Sequence, residues 1–164
     1  MALSADLPPA PTPLVGAPAP DIGVASLYQE IILSHYRAPR HKGVLDAATA
    51  AVEHRNPLCG DVLSLQLAMD GDRIINAAFD ARACSITQAT ASMLLSRVIG
   101  GTVVDAQHVL AEVEQLLESG TPVDEHAAAA LGDLRALASV SRFPARKACV
   151  RLVTGAMTEA LVTR

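Results

Sequence analysis

The sequence has few aromatic residues and no excess of positive charge. Its 164 residues include two Phe, two Tyr and no Trp, with 13 Lys and Arg against 17 Asp and Glu. Proteins that bind single-stranded nucleic acid stack bases on aromatic side chains, and phosphate backbones and anionic lipids attract basic surfaces. This composition therefore argues against nucleic acid and against membranes as partners.

Long apolar runs and a secretory signal are also missing. No stretch reaches about 18 consecutive apolar residues, the length that crossing a bilayer requires. Residues 1–20 hold six of the ten prolines and no Lys or Arg, so they lack the positive start and apolar run of a signal peptide. We interpret residues 1–24 as a disordered, proline-rich tail and residues 25–164 as one domain. The expected location is cytoplasmic.

Cysteine is scarce, with three in the whole chain. Disulfides are rare in the reducing cytosol, and an odd number of cysteines cannot pair off completely within one chain. Two alternatives remain for these thiols. Each is either a small buried apolar side chain or a metal ligand.

What the sequence does contain is a strand pattern in its first half. Aliphatic residues alternate with small or polar ones over 62–69, which predicts a strand with one buried face. A second strand at about 73–80 follows a tight-turn segment, and a weaker one at about 51–55 precedes both. Together these patterns predict a small antiparallel three-stranded sheet.

Helical patterns fill the rest of the chain. Ser26 and Gln29 have the spacing of a capping box, which predicts a helix over about 27–36. Beyond about residue 85 every pattern is helical. The predicted helix starts in this part lie at Cys84, Thr102, Thr121 and Phe143 with Pro144. The predicted fold class is therefore α+β, with the sheet packed against several helices.

All three cysteines have neighbours that suit a ligand or a nucleophile. Cys59 is followed by a glycine and Asp61 in the segment NPLCGD, and the glycine allows a sharp turn. Cys84 is predicted at a helix start, where the helix dipole favours a thiolate. Cys149 follows Arg146 by one helical turn, and we expect this setting to lower the pKa of its thiol.

Three thiolates and one carboxylate can bind more than one kind of metal centre. They fit a tetrahedral Zn(II) site, and they also fit the anchoring of an iron–sulfur cluster. The softness of the ligand atoms does not distinguish a zinc site from an iron–sulfur cluster. The isolated histidines His35, His41 and His54 are not assigned as ligands, because such residues are more often surface or core side chains.

Four segments of the chain, in order, resemble the IscU/SufU-type iron–sulfur cluster assembly proteins, which include the NifU N-terminal domain. The segments are LYQEIILSHYRAPRHKG, NPLCGD, CSITQATASML and FPARKACVRL. The similarity covers about residues 27–160. It implies a SufE/NifU-like fold, and it implies that Cys59, Asp61, Cys84 and Cys149 are the metal ligands.

Several features are similar to the SufU branch of this family. Ala148 stands where scaffold-type members have a histidine, and 64 residues separate the second cysteine from the third. Arg146 falls where the SufU branch has an arginine. Two residues differ from the usual family pattern, since Ala83 replaces a glycine and Thr87 replaces a serine.

The resemblance implies a zinc-dependent sulfurtransferase. Cys59 would accept sulfane sulfur from the persulfide of a SufS-type cysteine desulfurase, with Zn(II) holding the site and Arg146 assisting by its charge. The alternative is a scaffold on which a [2Fe-2S] or [4Fe-4S] cluster is assembled and passed to acceptor proteins, with other Fe–S assembly proteins as partners. A structural zinc domain without sulfur chemistry is the third interpretation.

Overall fold

The computed structural model describes residues 22–164, in which one helix precedes a short meander of three strands and the other helices follow it in the sequence. In chain order the elements are α1 (Ile22–Arg37), β1 (Ala50–Asn56), β2 (Asp61–Asp70), β3 (Arg73–Arg82), α2 (Ser85–Val98), α3 (Val103–Ser119), α4 (Glu125–Leu131), the 3₁₀ segment Gly132–Val140 and α5 (Pro144–Thr163). The predicted α+β class is confirmed. None of the described helices combines the length and the apolar character that a membrane span requires.

The sheet is antiparallel and has the strand order β1-β2-β3. Leu63, Leu65 and Leu67 of β2 are fully buried, because alternate side chains of a strand point to the same face. The same period places Asp61, the first residue of β2, on that buried face. Only 6% of Asp61 is exposed. The strand pattern is thus confirmed, and Asp61 is a carboxylate on the buried face of the strand.

Helices α2 and α5 have their N-terminal ends at the end of the sheet where β2 begins. Helix α5 packs against β1 and β2, and α2 packs against α5. Helix α1 packs against α2 and the 3₁₀ segment. The interface is aliphatic, with Leu94 and Leu95 of α2 and Val150, Val153 and Met157 of α5 all buried. Each such side chain contributes on the order of 2 kcal/mol through burial, which fixes these helix ends relative to the sheet.

A buried polar network ties α1 to its neighbours. His35 is 3% exposed, with Nδ1 lying 2.7 Å from Ser92 Oγ and Nε2 lying 2.8 Å from Asp133 Oδ2. The Ser92 hydroxyl also accepts the backbone N–H of Arg40 at 2.8 Å. Because both ring nitrogens of this buried residue already have hydrogen-bond partners, His35 acts as a structural side chain and not as a ligand.

Two helix starts differ from the predictions. Helix α1 begins at Ile22, so Ser26 lies inside the helix and the predicted capping box is wrong. An exposed serine inside a helix costs only about 0.5 kcal/mol, which is too little to end it. Helix α4 is capped by Asp124, whose carboxylate accepts the N–H of Ala127 at 2.8 Å, and not by Thr121.

The predicted cap of α3 is confirmed. The Thr102 hydroxyl accepts the N–H of Asp105, and the Asp105 carboxylate accepts the N–H of Thr102 in return. The predicted disordered tail, residues 1–24, lies outside the described residues except for its last three. Residues 22–24 form the first turn of α1.

Candidate metal centre

Cys59 lies in the short loop, residues 57–60, that joins β1 to β2. Asn56 closes this loop, because its Oδ1 accepts the N–H of Leu58 at 3.0 Å and its carbonyl accepts the N–H of Gly60 at 2.9 Å. Gly60 has a φ of +70°, a left-handed conformation that glycine adopts without a steric penalty. The turn leaves Cys59 exposed at the surface.

Asp61 directs its carboxylate at the start of α2. Its Oδ1 accepts the backbone N–H of Cys84 at 3.3 Å, and its Oδ2 accepts the hydroxyl of Thr87 at 2.9 Å. These donors lie at a helix N-terminus, where the macrodipole favours an anion, so the buried carboxylate is compensated. Each oxygen keeps a second lone pair that can bind a metal ion.

Cys84 occupies the N-cap position of α2 with φ −65° and ψ 168°. Its side chain makes no capping hydrogen bond, and its Sγ lies 3.4 Å from the Sγ of Cys149. The preceding carbonyl, that of Ala83, accepts a hydrogen bond from Gln88 Nε2 at 2.9 Å, and Lys42 Nζ donates to Gln88 Oε1 at 3.0 Å. Ala83 has a negative φ, so the alanine fits this loop without backbone strain.

Cys149 lies in the second turn of α5 and is 7% exposed. Its Sγ contacts the carbonyl oxygen of Ala145 at 3.4 Å as well as the Cys84 thiol. Burial in the first place, and the neighbouring Cys84 in the second, raise the pKa of Cys149 to about 12. The expectation of a lowered pKa is therefore wrong for this thiol.

The basic residues near Cys149 in the sequence are engaged elsewhere. The guanidinium carbon of Arg146 lies 4.8 Å from the centroid of the Phe143 ring, a cation–π contact. Lys147 Nζ lies 3.7 Å from a carboxylate oxygen of Glu118. Within residues 22–164 no hydrogen bond joins Arg146 to a cysteine. Burial and the neighbouring Cys84 therefore raise the pKa of Cys149, and the basic residues nearby in the sequence do not lower it.

Three potential ligands meet at this end of the sheet, and a fourth lies beside them. Cys59, Asp61 and Cys149 each offer a sulfur or carboxylate oxygen, and these atoms lie within 4.8 Å of one another. Cys84 lies outside this group: its backbone N–H contacts Asp61, and its sulfur lies 3.4 Å from the sulfur of Cys149. In the part of the chain that the structure describes, no second group of three such side chains has this spacing.

The donor set fits a metal ion. Two sulfurs that are each about 2.3 Å from a tetrahedral zinc ion lie about 3.8 Å apart. The separation between the Cys84 and Cys149 sulfurs, 3.4 Å, is close to that value. Thiolates with one carboxylate suit zinc or iron.

The structure brings three of the four residues that the resemblance implies as ligands within 4.8 Å of one another, and it places the sulfur of the fourth, Cys84, next to that of Cys149 outside this group. Arg146 lies beside Phe143 and makes no hydrogen bond to the cysteines among the described residues. The structure also brings Thr87 into the site, a fully buried residue for which the sequence predicts no role. The available signal for Thr87 is its spacing, three residues after a helix-starting cysteine, which places it on the first turn.

Known proteins are similar in sequence to this chain. Residues 27–150 match the NifU-like N-terminal domain. The chain is 37% identical over 130 residues to the zinc-dependent sulfurtransferase SufU of Bacillus subtilis (strain 168), covering 77% of this chain and 84% of that protein. It is 36% identical over 135 residues to the iron–sulfur cluster assembly scaffold protein IscU of Streptococcus pyogenes serotype M1, covering 82% of each.

A solved structure shares the fold. It is that of a proposed iron–sulfur cluster assembly scaffold protein for the SUF system from Fervidobacterium islandicum AW-1, with a TM-score of 0.73 and 27% identity. The match covers 83% of this chain and 97% of that one. Sequence motifs, domain match and fold agree, and the predicted resemblance is confirmed. The chain belongs to the family of the NifU-like N-terminal domain.

Proposed function

We propose that this chain is a zinc-dependent sulfur carrier that accepts sulfane sulfur from a SufS-type cysteine desulfurase. The observation that carries the proposal is the convergence of Cys59, Asp61 and Cys149 at the end of the sheet, with the Cys84 sulfur 3.4 Å from that of Cys149. Cys59, Asp61, Cys84 and Cys149 are the proposed ligands, and the similarity to SufU supports zinc. Bound Zn(II) supplies a positive centre that keeps sulfur ligands in the thiolate form.

The four proposed ligands differ in how firmly the fold holds them. Cys84 and Cys149 belong to the starts of α2 and α5, whose packing fixes their positions. Cys59 and Cys84 are both exposed, but Cys84 is the N-cap of a packed helix whereas Cys59 lies on a loop between two strands, where a partner protein can reach it. We therefore assign sulfur acceptance to Cys59 and anchoring to the two helix cysteines.

The transfer step is an exchange of one sulfur–sulfur bond for another. The thiolate of Cys59 attacks the outer sulfur of the desulfurase persulfide and forms a new S–S bond. The bond between that sulfur and the desulfurase cysteine breaks, and the desulfurase cysteine leaves as a thiolate. The step needs no added oxidant or reductant, because the electron pair of the broken bond departs with the leaving thiolate.

Asp61 is assigned to tuning the lability of the centre. It supplies a hard oxygen donor among three soft sulfurs, and such a donor exchanges more readily on a borderline-soft ion. Asp61 accepts hydrogen bonds from the Cys84 N–H and the Thr87 hydroxyl, and both contacts hold the carboxylate in one orientation. The proposed lability therefore comes from the type of donor atom and not from a loosely positioned side chain.

Arg146 is proposed to stabilise the reacting sulfur of Cys59 by charge during transfer. We expect Arg146→Ala to lower the rate of sulfur acceptance by up to about tenfold, because a solvated charge contributes on the order of 1 kcal/mol. Arg146→Lys should keep most of the rate. Arg142→Ala, at an exposed arginine four residues earlier, is the matched control and should leave the rate unchanged. Equal rates for the Arg146 and Arg142 variants would show that Arg146 is a solvated side chain with no part in transfer.

A cluster scaffold is the second candidate function. The similarity to the IscU scaffold protein of Streptococcus pyogenes favours it, and the same four ligands suit an iron–sulfur cluster. In that case a [2Fe-2S] or [4Fe-4S] cluster is assembled at the site before transfer to acceptor proteins. Other Fe–S assembly proteins are then its partners.

Metal analysis of protein purified without oxygen separates these functions. We expect a colourless protein with one zinc ion per chain that raises the turnover of a cysteine desulfurase. A brown protein with iron and acid-labile sulfide would establish the scaffold in place of the carrier. Zinc without any stimulation of the desulfurase would reduce the site to a structural one.

A further inference from the structure

The Thr87 hydroxyl contacts two of the proposed ligands at once. Thr87 is fully buried on the first turn of α2. Its Oγ1 donates to Asp61 Oδ2 at 2.9 Å and lies 3.4 Å from the Sγ of Cys84. A buried hydroxyl needs a partner, and here both partners belong to the metal centre.

The Thr87 hydroxyl can donate in only one direction. Thr87 has one hydroxyl proton, and the Asp61 carboxylate accepts hydrogen bonds without donating any. The proton therefore points to Oδ2, while the Cys84 sulfur faces the lone pairs of the hydroxyl oxygen. With Oδ1 held by the backbone N–H of Cys84, both carboxylate oxygens are fixed by α2.

We infer that Thr87 is a positioning residue of the metal centre, whose hydroxyl orients the Asp61 carboxylate and thereby sets the affinity of the site for zinc. The inference rests on the proposed function, since it takes Asp61 as a ligand. Groups that hold a ligand by hydrogen bonding orient it for the metal, and their loss typically lowers metal affinity about 10- to 100-fold.

The same helix offers a matched control. Thr90 lies three residues after Thr87 and is also fully buried. Its Oγ1 has no hydrogen-bond partner among the described residues. Thr90→Val therefore makes the same chemical change as Thr87→Val in the same helix, at an equally buried position, without removing a contact to the centre.

The test is a competition for zinc between a chromophoric chelator and the full chain. We expect Thr87→Val to bind zinc about 10- to 100-fold more weakly than the unaltered chain. Thr87→Ser keeps the hydroxyl and should stay within about threefold, and Thr90→Val should match the unaltered chain. With Co(II) in place of zinc, the ligand-field absorption of Thr87→Val should change, because the carboxylate loses its fixed orientation.

The possible results distinguish a failure of the proposed function from a failure of the role of Thr87. An unaltered chain that binds no zinc would refute the proposed function itself. Zinc binding and a Co(II) spectrum that are both unchanged in Thr87→Val, with the unaltered chain binding normally, would refute the role of Thr87 alone. Equal weakening in Thr87→Val and Thr90→Val would also refute it, since the effect would then be one of packing. Circular dichroism of the metal-free chains checks folding, and Thr87→Ala replaces Thr87→Val if the valine variant is unfolded.

Discussion

Replacing Cys59 by serine should abolish sulfur acceptance and leave the fold intact. Removal of a nucleophile typically lowers a transfer rate by on the order of a thousandfold or more. Cys59 is exposed on the loop that Asn56 and Gly60 shape, so its substitution removes no core contact. The free energy of unfolding of the metal-free chain should therefore change by less than about 0.5 kcal/mol.

The measurement is mass spectrometry of peptides after incubation with a cysteine desulfurase and cysteine. The unaltered chain should carry the added sulfur atom on the peptide that contains Cys59. Cys59→Ser should carry none, even though Cys84 and Cys149 are still present. Added sulfur on either of those two cysteines in the unaltered chain would mean that the acceptor has been assigned to the wrong residue.

Asp61→Ala should have two separable effects, one on the fold and one on the metal. In the metal-free chain it leaves the Cys84 N–H and the Thr87 hydroxyl without their acceptor. An unsatisfied buried group costs about 1–3 kcal/mol, so we expect the free energy of unfolding to fall by that amount in urea titrations. Loss of the oxygen ligand should in addition weaken zinc retention by at least about tenfold.

Asp61→Asn separates the two effects, because an amide oxygen still accepts a hydrogen bond but is a much poorer zinc ligand than a carboxylate. We expect this variant to recover most of the lost stability and none of the lost zinc retention. If Asp61→Ala keeps both zinc and sulfur acceptance at the level of the unaltered chain, Asp61 is not a ligand. Its carboxylate would then serve only to hold the start of α2.

The sequence predicts the sheet well because its signal is local. Alternation over 62–69 identifies the buried face of β2, and one further step of the same period reaches Asp61. The helix start at Cys84 is likewise a local signal, since the strand pattern stops there and a helical one begins. Two of the four proposed ligands thus follow from patterns within a few residues of them.

Local patterns do not predict that Cys149 joins the other ligands. Its place in the centre depends on the packing of α5 against α2 and the sheet, and the contact with Cys84 spans 65 positions of sequence. Only the resemblance to a known family implies that contact. The pKa of Cys149 is mispredicted for the same reason, because burial is a property of the folded chain that neighbouring Arg146 and Lys147 do not reveal.

Helix starts are the other feature that local signals predict poorly. Ser26 and Gln29 have the spacing of a capping box, yet the helix continues through Ser26 to Ile22. A serine at the N-cap stabilises a helix start by only about 1 kcal/mol. Whether the helix starts at that serine or earlier therefore depends on the residues before it. At α3 the same kind of signal is correct, because Thr102 follows Gly100 and Gly101, which lie just beyond the C-cap of α2.

X-ray absorption spectroscopy at the zinc edge tests the central claim most directly. For the zinc-loaded full chain we expect three sulfur ligands at about 2.3 Å and one oxygen ligand at about 2.0–2.2 Å. Cys149→Ser should reduce the sulfur count to two. A zinc ion surrounded by nitrogen and oxygen only, or a sulfur count that does not change in Cys149→Ser, would contradict a single centre built from Cys59, Asp61, Cys84 and Cys149.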